Sequence, residues 1–266
     1  MALVNYSGVH GSGKTSLAVG MAAQYAASSE ARTAYRMALA EINVLNQNGY
    51  NYTLPPFPLI YANFPMLIKR GKPAYEFDAS KMRLAAEDCQ DTAFIPPYSY
   101  IIIDEAQMDL DSHKSASISP EVRAYLQAHR HNGYNMHILS QRSMDLFNGA
   151  RELGARFIHL YYNKPVCRKN FVGRRVIAKV KWRGLEFDDW EDYAKRANGR
   201  KFKHTFNGNV FKLYDHQHLK PFFFRFKENV DFDRTVGEFT ELSRESFKRY
   251  NDLHPVGSIR KEKKNA

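Results

Sequence analysis

The chain has 266 residues, enough for one large domain or a domain with an appendage, and its hydrophobic fraction of 44% is ordinary for a globular protein. Its formal net charge of +11 favours a polyanionic partner, either nucleic acid or an anionic membrane surface. No window approaches the ~20 apolar residues of a membrane span, no secretory signal is visible, and Cys89 and Cys167 lie too far apart for a metal motif. We therefore expect a cytosolic protein with reduced thiols and no membrane span.

The first motif is a glycine-rich loop that follows a short apolar segment. Residues 8–15 read Gly-Val-His-Gly-Ser-Gly-Lys-Thr, the pattern of a P-loop between a strand and a helix. Its glycines let backbone N–H groups turn inward, and the helix N-terminus adds partial positive charge where phosphates sit. We expect Lys14 to contact the β- and γ-phosphates of ATP and Thr15 to ligate Mg²⁺. The competing interpretation is a glycine-rich turn with a solvated lysine. The residues expected to bind nucleotide are Gly8, Gly11, Ser12, Gly13, Lys14, Thr15 and Ser16.

The segment after the loop is rich in helix-forming residues. Residues 14 to about 47 predict one long helix or two, with a break near Ser28 and Ser29. A proline-rich connection follows, then a second strand over 59–63 and a possible short helix around 82–87.

The second strong motif is an apolar strand, Tyr98 to Ile103, that ends in two carboxylates. This is the Walker B pattern, in which we expect Asp104 to hold the Mg²⁺ shell and Glu105 to orient and deprotonate the attacking water. The competing interpretation is a buried strand that ends in solvated acids. The acidic pair favours hydrolysis over nucleotide binding alone.

Helices and strands continue to alternate up to residue 162. A helix is predicted from Ser119 to Asn132-Gly133, with Arg130 between two histidines in its last turn. The next strand, 136–141, ends in Gln141, which is placed either to sense the γ-phosphate or simply on the surface. A helix over 144–153 and a strand over 156–162 follow. This alternation predicts an α/β fold, a mostly parallel sheet with helices on both faces.

After Pro165 the pattern becomes antiparallel. A strand is predicted over 174–182 and a helix over 188–197. Strands 201–206 and 209–214 around Asn207-Gly208 indicate a hairpin. The exposed cations and interleaved aromatic residues of this extension suit nucleic acid, and a solvated strand face is the competing interpretation. We predict a P-loop ATPase core over 1–165, a β-rich extension of the same domain over 166–218, and a basic, partly helical tail over 219–266.

Several segments, taken in order, resemble the N-terminal domain of the zonula occludens toxin (Zot) family, which comprises morphogenesis ATPases of filamentous phages. That family is similar in turn to the FtsK–HerA class of DNA-pumping motors, RecA-like ATPases that also carry a glutamine after the fourth strand. The resemblance covers roughly residues 1–165 and, more faintly, the strand ending at Tyr214. The segments are the P-loop, Ile60-Tyr61-Ala62-Asn63-Phe64-Pro65, Ile103-Asp104-Glu105-Ala106-Gln107, His129-Arg130-His131-Asn132-Gly133 and Ser140-Gln141.

The resemblance implies a phage or prophage ATPase that uses ATP and Mg²⁺ in the host cytoplasm, at the inner membrane, and drives virion assembly, DNA extrusion or genome packaging as a ring. It implies that Gln141 is the sensor and that an arginine of one subunit reaches its neighbour's γ-phosphate. Arg130 is the first candidate, in competition with Arg123, Arg142 and Arg156. Family members usually continue into a transmembrane helix and a periplasmic part. This sequence shows neither, so we expect a membrane-free branch or recruitment by a phage membrane or coat protein.

Two other functions compete with a DNA motor. One is a nucleotide-dependent assembly factor that organises phage coat or membrane proteins without moving DNA. The other is a small-molecule kinase, which is disfavoured because such kinases do not need the Asp104-Glu105 pair. The histidines beside Arg130 are too few for a metal site.

Overall fold

The computed structural model describes residues 3–48, 50–51, 53–69, 72–77, 95–107, 110, 126–127, 129–146, 148–214 and 260–261. The described strands are β1 (Leu3–Ser7), β2 (Tyr50–Asn51), β3 (Ile60–Ala62), β4 (Leu67–Lys69), β5 (Lys72–Pro73), β6 (Tyr75–Glu76), β7 (Tyr100–Ile103), β8 (Asn135–Leu139), β9 (Arg156–Lys169), β10 (Arg175–Phe187), β11 (Arg200–Asn207) and β12 (Arg260–Lys261). The described helices are α1 (Lys14–Ala26), α2 (Ser29–Gln47), α3 (Asn148–Glu152) and α4 (Trp190–Lys195), with 3₁₀ turns at Ser143–Asp145 and Gly208–Lys212.

The main sheet of the described chain has eight strands in the order β11-β10-β9-β1-β8-β7-β3-β6. Every neighbouring pair from β9 to β6 is parallel, whereas β10 and β11 add to one edge in antiparallel pairing. The predicted α/β fold, a mostly parallel sheet with an antiparallel extension, is therefore confirmed. Because parallel strands share a direction, the carboxyl ends of β1, β8, β7 and β3 meet at one edge of the sheet.

Side chains of the central strands alternate between two apolar layers. In β7, Tyr100 and Ile102 face the layer that holds α1, whereas Ile101 and Ile103 face the opposite layer. All four are almost fully buried, as is expected for a strand covered on both faces. The strands are packed on both faces, and the loops at their carboxyl ends extend from this buried sheet.

The predicted break between the first helices lies where expected. The Ser28 hydroxyl accepts a hydrogen bond from the Ala31 N–H at 3.1 Å and caps the start of α2. α1 packs closely on the extension, because a Cβ at Gly20 would lie 2.5 Å from the ring of Phe206. The sheet and the extension thus both pack against α1.

The hairpin predicted around Asn207-Gly208 is wrong. Residues 200–207 form β11, but they pair with β10, and residues 208–212 turn into a 3₁₀ turn. The Asn207 side chain accepts from the Asn209 N–H at 3.2 Å and caps that turn. Tertiary packing overrides the local signal, since Gly208 lies against the Ile177 carbonyl, where a side chain would clash. The real hairpin joins β9 to β10 around residues 170–174.

The other predicted elements and boundaries lie only partly within the described residues. Strand β9 is longer than predicted and passes through residue 165, so the proposed boundary between core and extension stays a prediction. The predicted helix at 82–87, most of the helix from Ser119, Cys89 and nearly all of the tail lie outside the described residues. Within the described part, no helix is long and apolar enough to cross a membrane.

Candidate nucleotide site

The loop after β1 wraps around the start of α1. Gly13 has φ 83° and Gly8 has φ 148°, backbone values that side chains rarely adopt. A Cβ at Gly8 would strike the Leu160 carbonyl, and one at Gly13 would lie 2.7 Å from Trp182 Nε1. These glycines are therefore required both by the turn and by the close contact with the extension.

Lys14 folds back over the loop that it follows. Its ammonium donates to the Gly8 carbonyl at 2.8 Å and to the Val9 carbonyl at 3.5 Å. Burial lowers the Lys14 pKa, whereas the nearby carboxylates of Asp104 and Glu105 raise it. The loop thus holds a desolvated cation where a P-loop lysine meets phosphate.

Two serines of the loop differ in their contacts. The Ser16 hydroxyl donates to the Gly13 carbonyl at 2.9 Å and stabilises the first turn of α1. The Ser12 hydroxyl is buried and has no hydrogen-bond partner among the described residues. A buried orphan hydroxyl inside a phosphate-type loop suits a phosphate oxygen as its partner.

Thr15 and Asp104, which lie 89 residues apart in sequence, meet directly. The Thr15 hydroxyl donates to Asp104 Oδ2 at 2.6 Å. Burial raises the Asp104 pKa to about 6; the Thr15 hydrogen bond opposes the shift and the Glu105 charge adds to it. A buried, easily protonated carboxyl beside a hydroxyl fits Mg²⁺, because a cation would hold the carboxyl ionised. No cluster of three His, Cys, Asp or Glu side chains occurs in the described chain, so phosphate and water oxygens would complete the shell.

The residues after Asp104 form a tight turn at the carboxyl edge. Glu105 has φ 48°, and its N–H donates to Asp104 Oδ1 at 2.9 Å. The Ala106 N–H donates to the Leu139 carbonyl at 2.9 Å, which ties the turn to β8. The Glu105 carboxylate accepts a short hydrogen bond from Gln107 Nε2. Glu105 is half-buried, so a water molecule can reach it.

Asn63 is a site residue whose role the sequence did not reveal. Its amide donates to the Asp104 carbonyl at 2.9 Å, and its Oδ1 accepts from the Asp104 N–H at 2.8 Å. Through these two hydrogen bonds, Asn63, which follows the neighbouring strand β3, fixes the backbone of Asp104. The available signal was a polar residue at the end of a strand next to the Walker B strand.

Gln141, the predicted sensor, contacts the loop through its backbone. Its carbonyl accepts from the Gly8 N–H at 3.3 Å, and its side chain is exposed. The Ser140 N–H donates to the Tyr6 carbonyl at 2.9 Å and fixes the register of this segment. A movement of the Gln141 backbone would therefore displace Gly8 at the start of the loop.

The arginine candidates occupy different edges of the sheet. Arg130 is exposed in the turn before β8, where the Asn132 carbonyl accepts from the Tyr98 N–H at 2.9 Å. That turn lies at the amino ends of β7 and β8, so Arg130 cannot reach the loop of its own chain. Arg156 is held by Glu186 in an ion pair, and Arg142 is exposed next to Gln141. Arg123 lies outside the described residues.

Strands β9 and β10 contact the loop through two of its backbone carbonyls. Asn163 Nδ2 donates to the Gly11 carbonyl at 3.0 Å, and the fully buried Trp182 Nε1 donates to the Gly13 carbonyl at 2.9 Å. Neither residue was identified from the sequence, although a tryptophan between Lys181 and Arg183 was a visible signal. The loop is therefore shaped by β9 and β10 as well as by its own glycines.

A buried polar chain supports the strand that enters the loop. The Tyr193 hydroxyl donates to Ser7 Oγ at 2.7 Å, and Ser7 Oγ lies 2.8 Å from His159 Nδ1. Burial, with the positive charges of Arg196 and Lys14, lowers the His159 pKa to about 4. His159 is therefore neutral at pH 7, and its Nδ1 shares a hydrogen bond with the Ser7 hydroxyl. This chain of contacts was not predicted from the sequence.

No family model matches the chain, and a search of curated proteins finds no match. Among solved structures, it is similar to the N-terminal domain of zonular occludens toxin from Neisseria meningitidis, with 20% identity, a TM-score of 0.45, and 81% of this chain and 100% of that one covered. It is also similar to the genome packaging NTPase B204 from Sulfolobus turreted icosahedral virus 2 in complex with ATP-γS, with 13% identity, a TM-score of 0.35, and 76% and 96% covered. The DNA-packaging ATPase B204 from Sulfolobus turreted icosahedral virus has 15% identity, a TM-score of 0.34 and the same coverage.

The sequence resemblance to the Zot N-terminal domain thus reappears among the structural neighbours. In the structure itself, one strand lies between the loop strand β1 and the Asp104 strand β7, and both end at the edge that carries Lys14. The chain has the fold of a P-loop NTPase with a mostly parallel sheet.

Proposed function

We propose that this chain is an Mg²⁺-dependent ATPase that powers phage morphogenesis by packaging or extruding viral DNA as a ring oligomer. The observation that carries the hydrolytic part is the contact between Thr15 and Asp104 at 2.6 Å, with Lys14 in the same loop. The side chains that would bind ATP and Mg²⁺ thus lie next to one another, although Thr15 and Asp104 are 89 residues apart in sequence.

Each residue of the site has a chemical task. Lys14 and the loop N–H groups bind the β- and γ-phosphates, and Thr15 with Asp104 would hold Mg²⁺. When bound, Mg²⁺ neutralises charge on the phosphate oxygens. Glu105 orients the attacking water and takes its proton, and Gln141 responds to the γ-phosphate. These roles account for hydrolysis without a covalent intermediate.

The assignment of DNA as the cargo rests on separate grounds. The chain carries a net charge of +11, which favours a polyanionic partner. The resemblance of its motifs to the Zot family and the FtsK–HerA motors supports a phage protein in the host cytoplasm, at the face of the inner membrane. In such a ring, the arginine that completes the site comes from a neighbouring subunit, and Arg130 or Arg142 is exposed for that contact.

One experiment tests the proposal against its main alternative. ATP hydrolysis by the purified protein is measured without DNA and with single- or double-stranded DNA, while its mass in solution is followed with and without ATP. Stimulation by DNA in a protein that assembles with ATP is expected, and Lys14→Ala should show no turnover. Hydrolysis indifferent to both DNA forms would contradict a DNA motor and favour an assembly factor that acts on coat or membrane proteins.

A further inference from the structure

The β9–β10 hairpin extends beyond the parallel sheet. β1 pairs with β9 only from Arg156 to His159, and β11 pairs with β10 only from Lys179 to Glu186. We call the outer part, residues 163–182, the basic arm. Within the described chain, the outer edge of β9 in this arm pairs with no other strand. The arm starts at the nucleotide edge, since Asn163 contacts the Gly11 carbonyl at 3.0 Å.

The arm is strongly and uniformly positive. No residue from 163 to 182 is acidic, and no ion pair joins Lys164, Arg168, Lys169, Arg174, Lys179 or Lys181 to another described residue. Lys164 and Lys181 are direct cross-strand partners, a like-charge arrangement that destabilises a sheet. A polyanion bound to the arm would remove that repulsion. The basic residues are Lys164, Arg168, Lys169, Arg174, Arg175, Lys179 and Lys181.

The cations are not spread evenly around the arm. Lys179, Lys181 and Arg183 follow one another at every second position of β10, and their register partners on β9 include Tyr162 and Lys164. Side chains at every second position share a face, so these groups form one surface, which we call the cationic face. Its members are exposed: Tyr162, Lys164 and Arg168 on β9, and Lys179, Lys181 and Arg183 on β10.

The opposite face of the same strands belongs to the nucleotide site. Asn163 and Trp182, which are register partners, lie between the members of the cationic face in sequence and point to the loop. One side of the hairpin thus contacts the phosphate loop, while the cationic face on the other side is exposed among the described residues.

We propose that the cationic face binds a strand of nucleic acid. Alternate β-strand residues lie about 6.6 Å apart, close to the roughly 6.8 Å rise of two nucleotides along one DNA strand. Lys179, Lys181 and Arg183 can therefore contact every second phosphate of one strand. Tyr162 supplies an aromatic ring for base stacking, and Arg183 already lies 5.9 Å from that ring. A membrane surface fits this face less well, because interfacial binding needs a broad apolar face.

The inference deepens the proposed function by naming its DNA contact, but its test needs no hydrolysis. Binding of fluorescent single- and double-stranded DNA is measured by anisotropy over a series of salt concentrations. The variant carries Lys164→Gln, Lys179→Gln and Lys181→Gln. The matched control carries Lys69→Gln, Lys195→Gln and Lys212→Gln, which remove the same charge from exposed positions outside the arm.

Loss of three phosphate contacts should make the negative slope of log K against log salt shallower by about 2 for single strands and about 2.7 for duplex. At about 0.1 M salt we expect at least a tenfold higher Kd for the variant and less than twofold for the control. ATP binding and the unfolding midpoint check that the variant is folded, and the triple Lys→Arg variant should restore affinity.

Equal losses in variant and control would overturn the inference. Wild-type binding to anionic lipid vesicles without binding to DNA would overturn it as well, in favour of a membrane contact. The outcome also separates the two proposals. If DNA still stimulates hydrolysis in the variant as in the wild type, the arm is not the contact, yet the motor stands. If no DNA form binds the wild type, both fail.

Discussion

The Asn63 side chain offers the most direct test of how the site is positioned. Its two hydrogen bonds, at 2.8 and 2.9 Å, are its contacts with the Asp104 backbone. The Asn63→Ala substitution removes both hydrogen bonds but does not change the P-loop, Lys14 or the carboxylates of the Asp104-Glu105 pair. Because Asn63 touches no reacting group, it is a positioning residue whose effect passes through Asp104.

The size of the effect follows from those two bonds. Each contributes about 0.5–1.5 kcal/mol net, so the free energy of unfolding should fall by about 1–3 kcal/mol. If most of that loss reappears as misplacement of Asp104 in the transition state, the hydrolysis rate falls about 10- to 100-fold, since 1.36 kcal/mol is tenfold. The Kd for ATP should change by less than about threefold, because Lys14 and the loop are unaffected.

The assay combines steady-state hydrolysis, ATP binding and denaturant unfolding. Asn48→Ala is the matched control, because it removes an exposed asparagine that donates to the Val44 carbonyl at 2.9 Å, at the end of α2. That variant should keep its turnover. Wild-type turnover in Asn63→Ala, despite a lower free energy of unfolding, would refute the reasoning and leave Asn63 a purely structural residue.

Four further predictions test other parts of the site. Glu105→Gln should bind ATP normally but hydrolyse it at least 100-fold more slowly, whereas normal rates would move the base elsewhere. Since an acid with a raised pKa takes up a proton as pH falls through about 6, Mg²⁺ affinity should fall up to tenfold per unit below pH 6, and Asp104→Asn should lack this dependence. Trp182→Phe should raise the Kd for ATP about three- to tenfold through loss of one hydrogen bond, and Trp190→Phe should not. Mixing Arg130→Ala with Glu105→Gln subunits should restore activity in part, and a failure to do so would argue against a finger in trans.

The local motifs of the site were predictable because each is written in adjacent residues. The loop from Gly8 to Thr15 and the Asp104-Glu105 pair carry their chemistry and their flanking strands in short segments. Their meeting at one edge follows from a parallel sheet. Thr15 and Asp104 were both assigned to Mg²⁺ from the sequence, but the direct hydrogen bond of 2.6 Å between their side chains was not predicted.

The supporting residues could not be found in the same way. Trp182 and Asn163 reach the loop from 152 or more residues away, through a pairing that the sequence does not specify. The Asn207-Gly208 error has the same origin, because a strand can pair on either side, and β10 offered a long partner that the local turn signal ignores. In both cases the structure depends on which strands pair over long sequence distances, and local residue propensities do not reveal that pairing.

The grip of Asn163 and Trp182 on the loop has a thermodynamic consequence. Both residues belong to the strands that carry the cationic face, so we expect a ligand that shifts the loop to shift the arm as well. By linkage, the factor by which ATP changes the affinity of any ligand on that face equals the factor by which that ligand changes the affinity for ATP. A cargo that is held more tightly after hydrolysis must then also favour retention of ADP, so departure of the cargo and departure of the spent nucleotide become a single coupled event.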